Sequence, residues 1–175
     1  MKTFISLRSD FFRTCKLARS IMLSTLMGKK NQNMIVSWLI AVAFTLIADQ
    51  ARACSLNYTG VVFGKYDFYN DAALLSSGNI NMNCASGVGY TITLSAGNGT
   101  YEQRVMASGA HLLNYNLFTA ANRALVWGDA TYGSARVSGS GSGEAVNHVV
   151  YGSIPPHQNV PAGSYSDIVT VVITF

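Results

Sequence analysis

The sequence predicts an all-β sandwich behind an export signal, and three observations carry that expectation. Residues 165–175 alternate, with Val169, Val171, Ile173 and Phe175 on one face and Thr170, Val172 and Thr174 on the other. This is the period-two pattern of β-branched residues that a half-buried strand requires. Similar short alternating runs recur after residue 54, separated by Gly, Asn, Ser and Pro, with no amphipathic helix of convincing length among them, as in sandwiches of short strands. Charged residues are only 11% of the chain while glycines number 16, a balance that suits a turn-rich β-protein better than a helical enzyme.

The N-terminal part has a different character. Lys29 and Lys30 precede an apolar run over residues 34–48, and Ala51-Arg52-Ala53 follows as a small-x-small site. Basic region, short apolar core and cleavage site together predict a secretory signal cut after Ala53. The apolar run is 15 residues, short of the roughly 20 that a spanning helix needs, so no stable membrane anchor is expected. Met27-Gly28-Lys29-Lys30 would open an ordinary signal, and residues 1–26 are expected to lie upstream of the true start. The predicted organisation is a leader over 1–53 and one domain over 54–175. That domain holds four bases (Lys65, Arg104, Arg123, Arg136) against six acids (Asp67, Asp71, Glu102, Asp129, Glu144, Asp167), a net charge of −2. The basic excess of the whole chain belongs to the leader, and no nucleic-acid partner is expected.

Within the domain, residues 55–63 predict a first strand and 64–77 a long connection. In residues 79–84, Ile80, Met82 and Cys84 alternate with three asparagines. Residues 88–95 alternate again, and Ala96-Gly97-Asn98-Gly99-Thr100 is a turn in which Asn and Gly supply positive φ. Strands are predicted at 101–106 and 112–118, around Ser108-Gly109. Residues 127–133 fall in a loop region and 138–143 form a Gly-Ser hairpin tip or connector. A strand at 146–151 follows, and residues 154–163 form a proline-bearing loop into the last strand. The count is about six strands.

Of three cysteines, Cys15 lies in the leader and Cys54 and Cys84 in the domain. An even pair in an exported protein predicts a disulfide. Antiparallel pairing of the first strand with residues 79–84 would bring the two together. The alternative is a lipid-modified Cys54 directly after the cleavage site, but Arg52 fits such a site badly and lipidation would orphan Cys84.

Chemistry has little support. His111, His148 and His157 match no metal-ligand spacing. Residues 138–143 lack the lysine of a phosphate-binding loop, and no G-x-S-x-G elbow exists. Asp67, Asp71, Asp129 and Asp167 sit in turn and strand-start contexts rather than as paired acids. No catalytic residue, cofactor site or metal site is expected. Trp127, Tyr132, Tyr69 and Tyr101 leave two readings open, a sugar-binding aromatic platform or burial in core and interface.

Several stretches in order carry a resemblance: the Cys54 strand, Val62-Phe63-Gly64-Lys65-Tyr66-Asp67, residues 80–84, 90–97 and 113–118, Val126-Trp127-Gly128-Asp129, Val150-Tyr151-Gly152-Ser153-Ile154-Pro155, Gln158, and residues 160–167 with the terminal strand. Across residues 54–175 the chain resembles the spore coat protein U domain family, which includes the archaic, Csu-type chaperone–usher pilins. The resemblance implies an immunoglobulin-like sandwich one strand short. It also implies a periplasmic chaperone that lends the missing strand, an outer-membrane usher, and neighbouring pilin subunits that replace the chaperone's strand with their own. The last strand, ending the chain without a following turn, fits an edge that another chain fills. The expected acceptor groove has Val169, Val171, Ile173 and Phe175 on one side and Leu56, Tyr58 and Val61 on the other. A first strand beginning at Cys54 leaves no donor extension, which suits a tip or terminal subunit.

The sequence therefore predicts a secreted, non-enzymatic subunit of a surface fibre, passing through the periplasm. The alternatives are a self-complete coat protein and a carbohydrate-binding adhesive module built on Trp127 and Tyr132.

Overall fold

The computed structural model describes residues 3–11 and 54–175, which belong to one compact unit. The predicted export signal, its cleavage site and Cys15 lie outside the described residues. Among the described residues there is no helix. Ten strands follow one another: β1 (Thr3–Phe11), β2 (Cys54–Thr59), β3 (Val62–Gly64), β4 (Leu74–Cys84), β5 (Gly89–Leu94), β6 (Arg104–Ser108), β7 (His111–Phe118), β8 (Val137–Ser140), β9 (Ala145–Ile154) and β10 (Tyr165–Thr174).

The strands form two layers joined through β7. One layer runs β2-β4-β9-β7, all antiparallel. In the other, β10 pairs on one side with β5 and, at its start, with β6, while β8 covers the far edge of β5. β7 belongs to both, pairing with β6 from Ser108↔His111 to Arg104↔Tyr115 and with β9 from Asn116↔Ser153 to Phe118↔Tyr151.

The alternation seen in the sequence decides which side chains enter the core. On β4, Ile80, Met82 and Cys84 are buried. On β5 it is Tyr90, Ile92 and Leu94, and on β10 Tyr165, Val169, Val171 and Ile173. Facing rows interdigitate around Trp127, Met106, Leu113, Leu117 and Val150. Each large apolar side chain withdrawn in this way contributes about 1.5–3 kcal/mol relative to exposure.

Four strand assignments differ from the sequence expectation. The strand predicted over 101–106 runs instead over Arg104–Ser108. The single strand over 55–63 breaks at Gly60 and Val61, so that β2 stays with β4 while β3 joins the other layer. The connection expected over 64–77 is shorter, because β4 starts at Leu74 and pairs with β9 as far as Ile154. Residues 138–140 are not a free tip but part of β8. A Cβ on Gly139 would come within 2.5 Å of the Tyr90 ring, so the missing side chain is what lets β8 lie over that ring.

Candidate functional site: a one-strand slot between β10 and β3

β10 is the strand on which the site is built. Its inward residues are the apolar row already described, interrupted by Asp167. Its outer edge pairs in parallel with β1 through nine consecutive partners, from Thr3↔Tyr165 to Phe11↔Ile173. The other edge of β1 meets β3 at Thr3↔Gly64 and Phe4↔Val62. Within residues 54–175, β10 and β3 are thus two strand spacings apart, about 10 Å. The slot takes one strand and no more. Ile168 and Val62, each 63% exposed, flank it on the solvent side.

The start of β10 is held by a buried polar network. Asp167, 2% exposed, accepts hydrogen bonds from the Tyr115 hydroxyl at 2.6 Å, the Asn98 N–H at 3.1 Å and its neighbour Ile168 N–H at 2.7 Å. Gly97 makes the approach possible: it sits at φ +64°, and a Cβ there would collide with the carboxylate. Burial, and then the adjacent Asp167 charge, push the Tyr115 phenol far above its ordinary value. Arg104, fully buried, lies beside this pair. Its guanidinium donates to the Ser95 carbonyl at 2.8 and 3.1 Å, the Trp127 carbonyl at 2.7 Å and Asn116 Oδ1 at 2.6 Å. It also lies 5.4 Å from the centroid of the Tyr101 ring. Burial lowers its pKa, yet an arginine so supplied with acceptors stays charged. These contacts tie the β5–β6 turn, β7 and the loop at Trp127 to the start of β10, one wall of the slot.

The predicted site residues are distributed unevenly around the slot. Val169, Val171 and Ile173 lie on β10, and Phe175 packs partly buried against the core. Val61 is buried immediately before β3. Leu56 and Tyr58 lie on β2, which pairs with β4 in the other layer. The backbone facing β10 across the slot is therefore β3 rather than β2. Cys54 and Cys84 are directly opposite each other in the β2–β4 ladder and form a disulfide with an S–S length of 2.05 Å.

The aromatic pair separates. Trp127 is 1% exposed and donates its indole N–H to the Ile92 carbonyl at 3.2 Å. It is a core residue, which corrects its assignment to an adhesive platform. The alternative of core burial, weighed from the sequence, is the one the packing satisfies. Tyr132 is 85% exposed on a loop where Ala130, Tyr132 and Gly133 all have positive φ.

Sequence reasoning missed Arg104, Tyr115 and Asn116 as a unit. One signal was present: Asp167 falls on the same parity as Val169, Val171 and Ile173. A carboxylate on the inward face of a strand needs buried donors.

The Spore Coat Protein U domain family model matches residues 40–172. Protein U of Myxococcus xanthus is 31% identical over 129 residues, covering 65% of this chain and 70% of that protein. Among solved structures, the chain is similar to one in a chaperone–tip adhesion subunit pre-assembly complex from the archaic chaperone–usher Csu pili of Acinetobacter baumannii. The identity is 24% and the TM-score 0.45, over 70% of this chain and 40% of that one. The chain thus spans well under half the length of that structural relative. With the family match extending over most of residues 54–175, the protein belongs to the Spore Coat Protein U domain family.

Proposed function

We propose that residues 54–175 are an exported structural subunit of a surface fibre, completed by a strand that another protein lays into the slot between β10 and β3. The observation that carries this reading is the strand β1. The position it fills joins two strands of the domain, runs the length of β10, and is supplied from outside residues 54–175. An unfilled slot would leave the β10 edge unpaired above a row of buried Val and Ile, a combination that promotes aggregation. A periplasmic chaperone that lends a strand, an outer-membrane usher and a neighbouring subunit that replaces the lent strand would together solve that problem. The disulfide suits the oxidising compartment on this route.

A photo-crosslinking amino acid at Ile168 or Val62, both exposed at the slot, tests the reading in secreting cells. Capture of a chaperone-sized partner, and of a second subunit at the surface, is expected from these positions. It is not expected from Leu75, which is exposed on β4 in the other layer. Equal capture from all three positions would refute it.

A second reading, a self-complete coat protein, is favoured by one fact: the chain itself supplies β1. If residues 3–11 stay attached, the slot needs no partner. N-terminal sequencing of the surface protein separates the two. A start at Cys54 favours exchange, and retention of residues 3–11 favours self-completion.

A further inference from the structure

We infer that the domain carries a second site, for a neutral saccharide, where β7 crosses from one layer to the other. A pocket of about 610 Å³ opens there, within the range of small-ligand sites and roomy enough for a short oligosaccharide. Neither β10 nor β3 lines it, so it is separate from the strand slot, although Tyr115 and Asn116 in its lining also belong to the network behind β10.

Its lining has two characters. Phe118 and Val126, half-buried, and Pro155, exposed, supply an apolar surface, as the apolar face of a sugar ring requires. Glu102, Gln103, Asn114 and Ser153 supply polar side chains. Among the described residues, none of these four side chains makes a side-chain hydrogen bond. That distinguishes them from the other three polar side chains of the pocket, of which Tyr115 is committed to Asp167. Asn116 is fully occupied, donating to the Tyr101 and Glu102 carbonyls at 2.8 and 3.1 Å and accepting from Arg104. Gln158 is likewise committed. Its carbonyl accepts from the Asn114 N–H at 2.7 Å, and its amide donates to the Asn114 and Pro155 carbonyls at 2.9 and 3.1 Å. The committed amides brace the pocket and the uncommitted groups remain for a ligand.

The inventory of those groups selects the ligand class. A carboxylate accepts from hydroxyls, two amides both donate and accept, and a serine hydroxyl does either. Hydroxyl groups, which are also donor and acceptor at once, satisfy this set. No cation lines the pocket, and the single charge, Glu102, repels anions, so uronic and sialic acids are disfavoured. Aromatic stacking on Tyr132 plays no part, since that residue does not line the pocket.

The test is a glycan array of neutral and acidic saccharides probed with the full exported protein, alongside the variants Glu102→Ala and Asn114→Ala. Both substitutions remove side chains that make no internal hydrogen bond, and thermal melts check that each variant stays folded. The expected result is binding to neutral saccharides over acidic ones. Each variant should weaken it by roughly fivefold to tenfold, the effect of one ligand hydrogen bond, with melting unchanged. No binding to any neutral saccharide would overturn the inference. So would binding that both folded variants retain in full, or binding confined to acidic glycans.

Discussion

Replacing Asp167 by alanine removes the acceptor that anchors the start of β10. The carboxylate is buried and takes three hydrogen bonds, from Tyr115, Asn98 and Ile168. Its loss leaves the Tyr115 hydroxyl with no acceptor in a buried site, and the Asn98 N–H without its partner. Each buried donor left unsatisfied costs about 1–3 kcal/mol. The Arg104 charge also loses a nearby compensating negative charge, although its own four bonds survive. The expected destabilisation is therefore about 3–5 kcal/mol, and for a domain of this size a fall in melting temperature of the order of 10–20 °C. Tyr115→Phe alone removes the donor along with its demand for a partner, and should cost only about 1–2 kcal/mol. In the double variant Asp167→Ala, Tyr115→Phe, the two losses should fall short of additivity by about 1–2 kcal/mol, because the orphaned hydroxyl no longer exists. Urea and thermal unfolding of the four proteins with the slot filled provide the cycle. A loss below about 1 kcal/mol for Asp167→Ala, or strict additivity, would refute the assignment of this network to the stability of the slot wall.

Other outcomes follow from the same structure. Opening the disulfide with Cys54→Ser and Cys84→Ser together should cost about 3–4 kcal/mol in the chain-entropy view for a loop of 30 residues, read as a lower urea midpoint; an unchanged midpoint would contradict it. His148 on β9 is hydrogen-bonded to Tyr90 on β5 at 2.9 Å, spanning the two layers, and burial lowers its pKa. The unfolded chain then binds the proton more readily than the folded one. The stabilisation is present above about pH 6.5 and is lost as pH falls toward the depressed folded value. A His148→Gln variant should flatten that part of the stability–pH curve, and an identical curve would argue against the linkage. Trp127→Ala should cost about 3–5 kcal/mol as a core truncation, whereas Tyr132→Ala should leave stability within about 0.5 kcal/mol; the two melts compared directly check this.

Much of the fold was legible because most of its strands carry their faces in plain alternation. Ile80, Met82 and Cys84, or Tyr90, Ile92 and Leu94, have one arrangement that hides the apolar row. The Cys54–Cys84 pairing was legible for the same reason, since antiparallel register leaves the two residues opposite each other. The division of the first strand at Gly60 and Val61 was not, because a strand that changes layers stays apolar on both sides of the change. Trp127 was ambiguous since a buried indole and an exposed one have the same letter. Only the acceptor at Ile92 and the rows around it decide. The Arg104–Asp167 region was hidden by sequence distance: its members come from residues 95 to 167, and no local pattern links them. The apolar face of β10 was legible, but the strand beyond β1, which is β3, depended on long-range pairing.

The most direct test of strand completion is to export the protein with and without the chaperone from its own locus, then apply size-exclusion chromatography and a thermal melt. The prediction is a protein that is degraded or aggregated alone and is recovered as a 1:1 complex when the chaperone is present. A soluble monomer, starting at Cys54, with a cooperative melt and no affinity for the chaperone would contradict it.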